Sequence, residues 1–160
     1  MLTIRPAAKT DYAAIVNWNA GKDEAYLFQW AGFTAYQHPL TEEQLSRQAK
    51  KESVTIFMIL ENETPIGTAE LCDTDQAAKT GRICRVLFAE EARGRGYGAE
   101  ALKALSCMAF EEMGLMFLSL RVFCFNLSAI RCYEKVGFRV AEYFEEKDPH
   151  WNNYSMELKK

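Results

Sequence analysis

Residues 93–98, Arg-Gly-Arg-Gly-Tyr-Gly, decide how the rest of the chain is interpreted, because their alternating glycines join a strand-like run to a helix-like run. Glycine has no Cβ atom, so such a loop lets backbone amides crowd around a ligand oxygen. The N-terminus of the following helix adds free N–H groups and a partial positive charge. With two arginines in the same loop, the pattern predicts a phosphate or pyrophosphate site, and a purely structural turn is the alternative.

Two nucleotide-binding motifs share glycines with this loop, but the chain completes neither of them. Residues 94–99 fit the dinucleotide pattern Gly-x-Gly-x-x-Gly/Ala, which requires an acidic residue at the end of the next strand. Residues 118–121 of that strand, Leu-Ser-Leu-Arg, contain no carboxylate. A Walker loop requires Gly-Lys-Ser/Thr, whereas Gly98 is followed by Ala99 and Glu100. Both motifs are therefore excluded.

The hydrophobic pattern on either side of the loop predicts a mixed sheet. Strands are expected at residues 2–5, 54–61, 66–73, 82–89 and 117–123 and in two segments ending near 158, with helices at 11–18, 41–51, 98–113 and 128–136. The helix at 98–113 crosses over between two strands, which makes that pair parallel. The expected fold class is α/β (α+β), with a mixed, mostly antiparallel central sheet of six to seven strands flanked by helices. The aromatic residues 26–36 receive no assignment.

Length and composition limit the alternatives. The 160 residues are expected to form one domain, 1–160, and the net charge of -3 argues against a nucleic-acid partner. No apolar run reaches the roughly 20 residues that span a bilayer, and the first residues lack a secretory pattern. We therefore expect no membrane partner and a cytoplasmic location. Five cysteines without a Cys-x-x-Cys pair and only two histidines predict reduced thiols and no metal site.

The glycine loop and a second motif resemble the GNAT superfamily of acyl-CoA-dependent N-acetyltransferases. The pyrophosphate loop of that family, Arg/Gln-x-x-Gly-x-Gly/Ala, is matched by Arg93, Gly96 and Gly98. Asn126 and residues 129–138 resemble the second half of the family's motif region, so specific motifs cover about residues 66–138. The resemblance implies the acyl-CoA N-acyltransferase fold, acetyl-CoA as cosubstrate without a metal, and direct acetyl transfer to a primary amine in a ternary complex.

The resemblance also implies the site residues. The backbone at the end of the 82–89 strand would pair with the pantetheine arm, the loop would hold the pyrophosphate, and Asn126 would hydrogen-bond the pantetheine. Tyr133 would lie beside the sulfur as the general acid. The cofactor-binding residues are therefore expected to be Leu87, Phe88, Ala89, Arg93, Gly94, Arg95, Gly96, Tyr97, Gly98 and Asn126. Helical spacing alone offers two alternatives, a core position for Tyr133 and a helix cap for Asn126.

The general base is the role that the motifs do not supply, because residues 117–125 contain no acid. Glu70 is the candidate, since it shares a strand face with Ile66 and Thr68 among apolar neighbours, where burial would raise its pKa. A solvent-facing strand position is the alternative. Arg85 is expected to pair with an acid on a neighbouring strand rather than with an acceptor carboxylate. Residues 28–36 are expected to be either a wall of the acceptor site or an apolar mini-core.

The acceptor stays open at this stage. A small-molecule amine is favoured, and the alternatives are a protein N-terminal or lysine acetyltransferase and a domain that binds acyl-CoA without turning it over. A covalent cysteine route is not expected, because no cysteine has a histidine nearby in the sequence. The resemblance leaves a homodimer open.

Overall fold

The chain folds around one seven-stranded sheet, and a computed structural model describes all residues, 1–160. The strands are β1 (Leu2–Pro6), β2 (Thr55–Glu61), β3 (Thr64–Asp75), β4 (Thr80–Phe88), β5 (Phe117–Phe123), β6 (Arg139–Phe144) and β7 (Asn153–Lys159). The helices are α1 (Tyr12–Trp18), α2 (Glu24–Ala31), α3 (Glu42–Ala49), α4 (Tyr97–Glu111) and α5 (Leu127–Val136), with short 3₁₀ turns at Lys9–Asp11, Glu90–Ala92 and Pro149–Trp151.

The sheet has the order β1-β2-β3-β4-β5-β7-β6. Every neighbouring pair is antiparallel except β4 and β5, which run parallel on either side of the α4 crossover. The predicted fold class is therefore confirmed, with the sheet at the upper end of the expected six to seven strands. The predicted hairpin and crossover lie where the hydrophobic pattern put them, although β3 continues to Asp75 and β4 begins at Thr80.

β4 and β5 separate after four paired residues, and this separation is the main feature of the sheet. Their parallel register ends at Ile83 opposite Leu120. A bulge follows in β4, because Thr68 pairs with Leu87 while Glu70 pairs with Cys84, leaving two β4 residues opposite one β3 residue. Arg85, one of those two residues, has a φ of 51°. A bulge bends its strand, so a cleft opens between residues 84–88 and 121–123.

Side chains of alternating parity divide the core into two clusters, one on each face of the sheet. Phe57 and Ile59 of β2 join the larger cluster with α4 and α5, whereas Ile56, Met58 and Leu60 join a smaller one with α1, α2 and α3. This is the period of two expected when both faces of a strand are buried. The cleft between β4 and β5 therefore lies between two different layers of helices, which we call the α4–α5 face and the α1–α3 face.

The aromatic residues 26–36, which the sequence left unassigned, form α2 and the segment after it. Asp23 caps the helix by accepting the Tyr26 amide at 2.9 Å, and the chain leaves it at Gly32, whose φ is 73°. The helix packs over β4 on the α1–α3 face. None of the helices is both long enough and apolar enough to cross a lipid bilayer.

Candidate active site

The cleft between β4 and β5 has backbone on one side that β5 does not pair. Leu87 and Ala89 are buried, and the Ala89 amide bonds back to β3 through the Ile66 carbonyl at 2.8 Å. The neighbouring Phe88 carbonyl accepts two bonds from the Arg93 guanidinium, at 3.0 and 3.2 Å. The end of β4 and the start of the glycine loop are thus tied together by one side chain.

The glycine loop leads directly into α4 without a side-chain cap. Gly96 is the N-cap residue with a φ of 82°, a conformation that L side chains rarely adopt. Gly98 is required for a different reason, since a Cβ there would lie 3.0 Å from the Cys132 sulfur of α5. Because nothing caps the helix, its first-turn amides stay free to bind an anion.

The side chains of the glycine loop differ from one another in the partners that they contact. Arg93 also donates to the Tyr26 hydroxyl of α2 at 2.5 Å, so it links the loop to the helix above the cleft. Tyr97 donates its hydroxyl to Glu61, and this hydrogen bond raises the Tyr97 pKa. Arg95 is exposed. Tyr97 therefore anchors the loop to β2, while both arginines of the loop are exposed.

Tyr133 lies on the α4–α5 face beside the cleft. Its side chain is buried and meets Phe138 edge-on at 6.3 Å, as an ordinary core residue would. Burial raises the pKa of the Tyr133 hydroxyl, and the nearby thiols of Cys132 and Cys84 raise it further. Cys84 is the first β4 residue beyond the last pair with β5. The hydroxyl therefore stays protonated at neutral pH close to the point where the strands diverge.

Asn126 follows β5 and caps α5. Its Oδ1 accepts the Ala129 amide at 3.2 Å, so the cap that helical geometry offered as an alternative is present. The cap uses only the oxygen of the side chain. The Nδ2 group forms no hydrogen bond within the chain and stays free to donate.

Glu70 lies on the α1–α3 face and is buried, so the solvent-facing alternative is wrong. Its Oε2 accepts the Tyr36 hydroxyl at 2.6 Å, and its Oε1 accepts Gln48 Nε2 at 2.9 Å and Arg85 Nη1 at 3.1 Å. The expected pairing of Arg85 with an acid on a neighbouring strand is confirmed. Burial lowers the pKa of Arg85, but the charge of Glu70 raises it, and the net effect is an increase. The pKa of Tyr36 is also raised, chiefly by burial.

Two cysteines complete this buried network. The Cys72 sulfur lies 3.1 Å from Arg85 Nη1 and 3.8 Å from Glu70 Oε1. A hydrogen bond from Cys72, with Arg82 and Arg85 nearby, lowers the pKa of Cys84; the same contact and burial raise the pKa of Cys72. Sequence reasoning missed Tyr36 and Gln48, because they lie 34 and 22 positions from Glu70 in the chain, and it also missed both thiols.

An aromatic cluster borders the cleft on the same α1–α3 face. It joins α2, the segment after α2, the end of β5 and the last 3₁₀ turn, and its members are Phe28, Phe33, Phe123, Phe125, His150 and Trp151. Trp151 is central, with Phe123 at 5.0 Å and Phe33 at 5.4 Å, both edge-to-face. Within residues 28–36, Tyr36 is core and Phe33 is half exposed, so the mini-core alternative holds for Tyr36 and the acceptor wall stays a prediction.

Comparison with known proteins was made against this geometry. The sequence model of the acetyltransferase (GNAT) family matches residues 21–138, which include α2, both sides of the cleft, the glycine loop and Tyr133. The chain belongs to the acetyltransferase (GNAT) family. The resemblance drawn from the glycine loop is confirmed, and this GNAT chain is an acyltransferase.

Among its relatives, this GNAT chain is 26% identical over 152 residues to aminoglycoside N(6')-acetyltransferase type 1 of Klebsiella pneumoniae, covering 86% of this chain and 73% of the other. It is 46% identical over 50 residues, 31% of each chain, to the uncharacterized N-acetyltransferase YycN of Bacillus subtilis (strain 168). Spermidine N-acetyltransferase of Vibrio cholerae in complex with CoA and spermine superposes with a TM-score of 0.83 over 99% of this chain and 95% of that one. At 18% identity, this last likeness concerns the fold alone.

Proposed function

We propose that this protein transfers an acetyl group from acetyl-CoA to a primary amine of a small molecule, by direct transfer in a ternary complex. The observation that carries the proposal is the cleft between β4 and β5, which has the uncapped N-terminus of α4 at one end and Tyr133 at its side. Family membership supports it, as do relatives named for N-acetylation of amines. In this proposal residues 1–160 act as one N-acetyltransferase domain.

The cofactor side uses backbone more than side chains. The strand end Leu87, Phe88 and Ala89 would pair with the pantetheine arm, as an added strand pairs with an exposed sheet edge. The amides of the glycine loop would bind the pyrophosphate, and the exposed Arg95 would add a positive charge. Asn126 would donate through its free Nδ2 while its oxygen continues to cap α5.

Tyr133 is the proposed general acid. Expulsion of a thiolate requires a proton, and a phenol that burial keeps protonated can supply one. The hydroxyl has no hydrogen-bond partner within the chain, so it is free to turn towards a leaving group. The backbone amides of the bulged β4 segment are the candidates for binding the oxyanion that forms first.

Glu70 stays the candidate general base, with a constraint that the sequence did not suggest. Four donors, the Cys72 thiol among them, occupy its oxygens, so an acceptor amine reaches it only through the Tyr36 hydroxyl or a water that replaces one of them. If Glu70 removes the proton, Glu70→Gln lowers turnover and abolishes its dependence on pH on the acidic side, while Gln48→Ala keeps that dependence. An unchanged pH profile in Glu70→Gln would remove Glu70 from proton transfer.

The first experiment separates binding from turnover. A ligand at about 100 times its dissociation constant adds ~2.7 kcal/mol to the free energy of unfolding, which for a domain of this size raises Tm by roughly 5–10 °C. We expect that shift with acetyl-CoA but not with NAD or ATP, and free thiol release when an amine panel is added. Release with peptides alone would indicate a protein acceptor, and binding without any release would indicate a non-catalytic acyl-CoA domain.

The same assay tests direct transfer. Cys84 is the thiol with a lowered pKa nearest the cleft, so it is the residue that a covalent route would use. We expect Cys84→Ala to retain turnover and the intact protein to carry no acetyl adduct after incubation with acetyl-CoA alone. An adduct on Cys84 that an amine then removes would replace direct transfer with a two-step route.

A further inference from the structure

The aromatic cluster is placed to meet whatever enters the cleft from the α1–α3 face. Phe123 is the last residue of β5, on the side of the cleft that β4 leaves unpaired. Phe33 lies 6.2 Å from Phe123 and Phe28 lies 4.9 Å from Phe33, measured between ring centroids. The cluster therefore continues from the strand edge to α2, which covers β4 on this face.

The rest of the protein covers the rings of this cluster only in part. Phe33 is 51% exposed and Phe125 39% exposed, although both meet other rings at contact distance. Rings buried on one side and open on the other form the kind of apolar patch that marks a ligand or protein contact. Its continuity with the cleft indicates the acceptor as the ligand.

The carboxylates around the patch already have partners. Glu70 is neutralised by Arg85, which is itself mostly buried. Glu146 accepts Asn153 Nδ2 at 3.1 Å, and Asp148 accepts the His150 amide at 3.0 Å; both donors are neutral, so these two carboxylates keep their charge at the margin of the patch. The patch itself consists of ring surfaces, so an acceptor with one amine and a flat apolar body would cover it with complementary surface, whereas an acceptor with several ammonium groups would leave the ring faces without an apolar partner.

We infer that the acceptor is an aralkylamine, a primary amine joined by a short chain to an aromatic ring, whose ring rests against Phe33, Phe123 and Trp151. This inference rests on the proposed acetyl transfer and specifies its substrate class. It separates this chain from its relatives named for aminoglycoside and spermidine acetylation, whose acceptors carry several amines.

The test compares acceptors and then variants. Free thiol release is measured with 2-phenylethylamine, tryptamine, n-butylamine, spermidine and an aminoglycoside. We expect kcat/KM for the two aralkylamines to exceed that for n-butylamine and spermidine by at least about tenfold, because one well-packed apolar group discriminates by roughly 10–200-fold. Phe33→Ala should remove most of that preference and leave acetyl-CoA affinity unchanged.

Met116→Ala is the matched control, because Met116 is 50% exposed but lies before β5, at the opposite end of the strand from the cluster. Met116→Ala should keep the preference for aralkylamines. Phe33→Trp, which retains an aromatic ring at position 33, should also keep the preference that Phe33→Ala loses. A higher kcat/KM for spermidine or the aminoglycoside would overturn the inference while leaving acetyl transfer intact.

Two further results would also contradict the inference. Equal effects of Phe33→Ala and Met116→Ala would show that the patch does not contact the acceptor. If light scattering showed that Phe33→Ala dissociates a dimer without changing acceptor preference, the patch would be a contact between copies. Acetyl-CoA binding without transfer to any amine would instead refute the proposed function itself, and the inference with it.

Discussion

The two sides of the cleft are built in different ways. On the α4–α5 face, six consecutive residues, 93–98, and the helix that follows them form the proposed cofactor site. On the α1–α3 face, Glu70 receives hydrogen bonds from residues 34 and 22 positions earlier and 15 positions later in the chain. One side is local and consists mainly of backbone, whereas the other depends on side chains that only the folded chain brings together.

Under the proposed function, the cofactor side can stay constant while the acceptor side varies. Amides at a helix N-terminus bind an anion whatever side chains surround them. A site of aromatic rings from three segments changes its shape with each substitution. Each of the four predictions below tests one part of that contrast.

The largest expected effect concerns the buried ion pair on the α1–α3 face. Arg85→Ala leaves Glu70 without its counter-charge, with the Glu70 side chain 3% exposed. Loss of one partner of a buried pair costs about 3–5 kcal/mol, and we expect that decrease in the free energy of unfolding in urea. Alanine and arginine both carry a Cβ, so the strain at the positive φ is unchanged. A decrease below about 1 kcal/mol would show that Arg85 does not offset a buried charge on Glu70.

The second prediction concerns the local side of the contrast. Gly96→Val places a branched side chain where the loop needs a φ of 82° and where free amides would face the ligand. We expect acetyl-CoA affinity, measured by calorimetry, to fall by at least about 100-fold, or ~2.7 kcal/mol.

Gly114→Val is the control for Gly96→Val, because Gly114 has a φ of 71°, follows the other end of α4 and also has open space around its Cβ position. Both variants carry similar backbone strain, so only Gly96→Val should lose the ligand. If both bind equally well, the loop is a structural turn.

The third prediction asks whether Tyr133 belongs to the chemistry or only to the core. Tyr133→Phe keeps the ring against Phe138 and removes the hydroxyl that burial holds protonated. We expect kcat to fall by about 10²-fold, the lower end of general acid catalysis, with the Kd of acetyl-CoA unchanged. Tyr12→Phe, a buried tyrosine of the other cluster, should leave kcat unchanged. Equal kcat in the two variants would assign Tyr133 to packing alone.

The sequence predicts the local features of the molecule better than those that depend on contacts between distant residues. Three short-range signals predicted the sheet, the crossover and the position of the loop correctly. They are the period of two in β2, the glycines 94–98 and the helical spacing of the apolar residues that follow them. The helix α2 was missed because its aromatic residues contact three separate parts of the molecule rather than one core face. The bulge at Arg85 was missed because nothing in Cys-Arg-Val marks a positive φ, and the ion pair that accompanies it joins residues 15 positions apart.

The smallest expected effect belongs to a second ion pair between the same two strands. Arg82 and Asp73 lie 2.9 Å apart, closer than Arg85 and Glu70, but their side chains are 38% and 64% exposed. Solvent-exposed pairs contribute about 0–1 kcal/mol, because water and salt screen them. Asp73→Asn keeps a residue that tolerates the φ of 52° and removes only the charge, so we expect a loss below about 0.5 kcal/mol in urea unfolding. Both pairs join β3 to β4, so comparing this loss with that of Arg85→Ala contrasts an exposed ion pair with a buried one. A loss as large as that of Arg85→Ala would mean that both ion pairs stabilise the β3–β4 register. The buried network would then contribute no more to the proposed acceptor side than the exposed pair does.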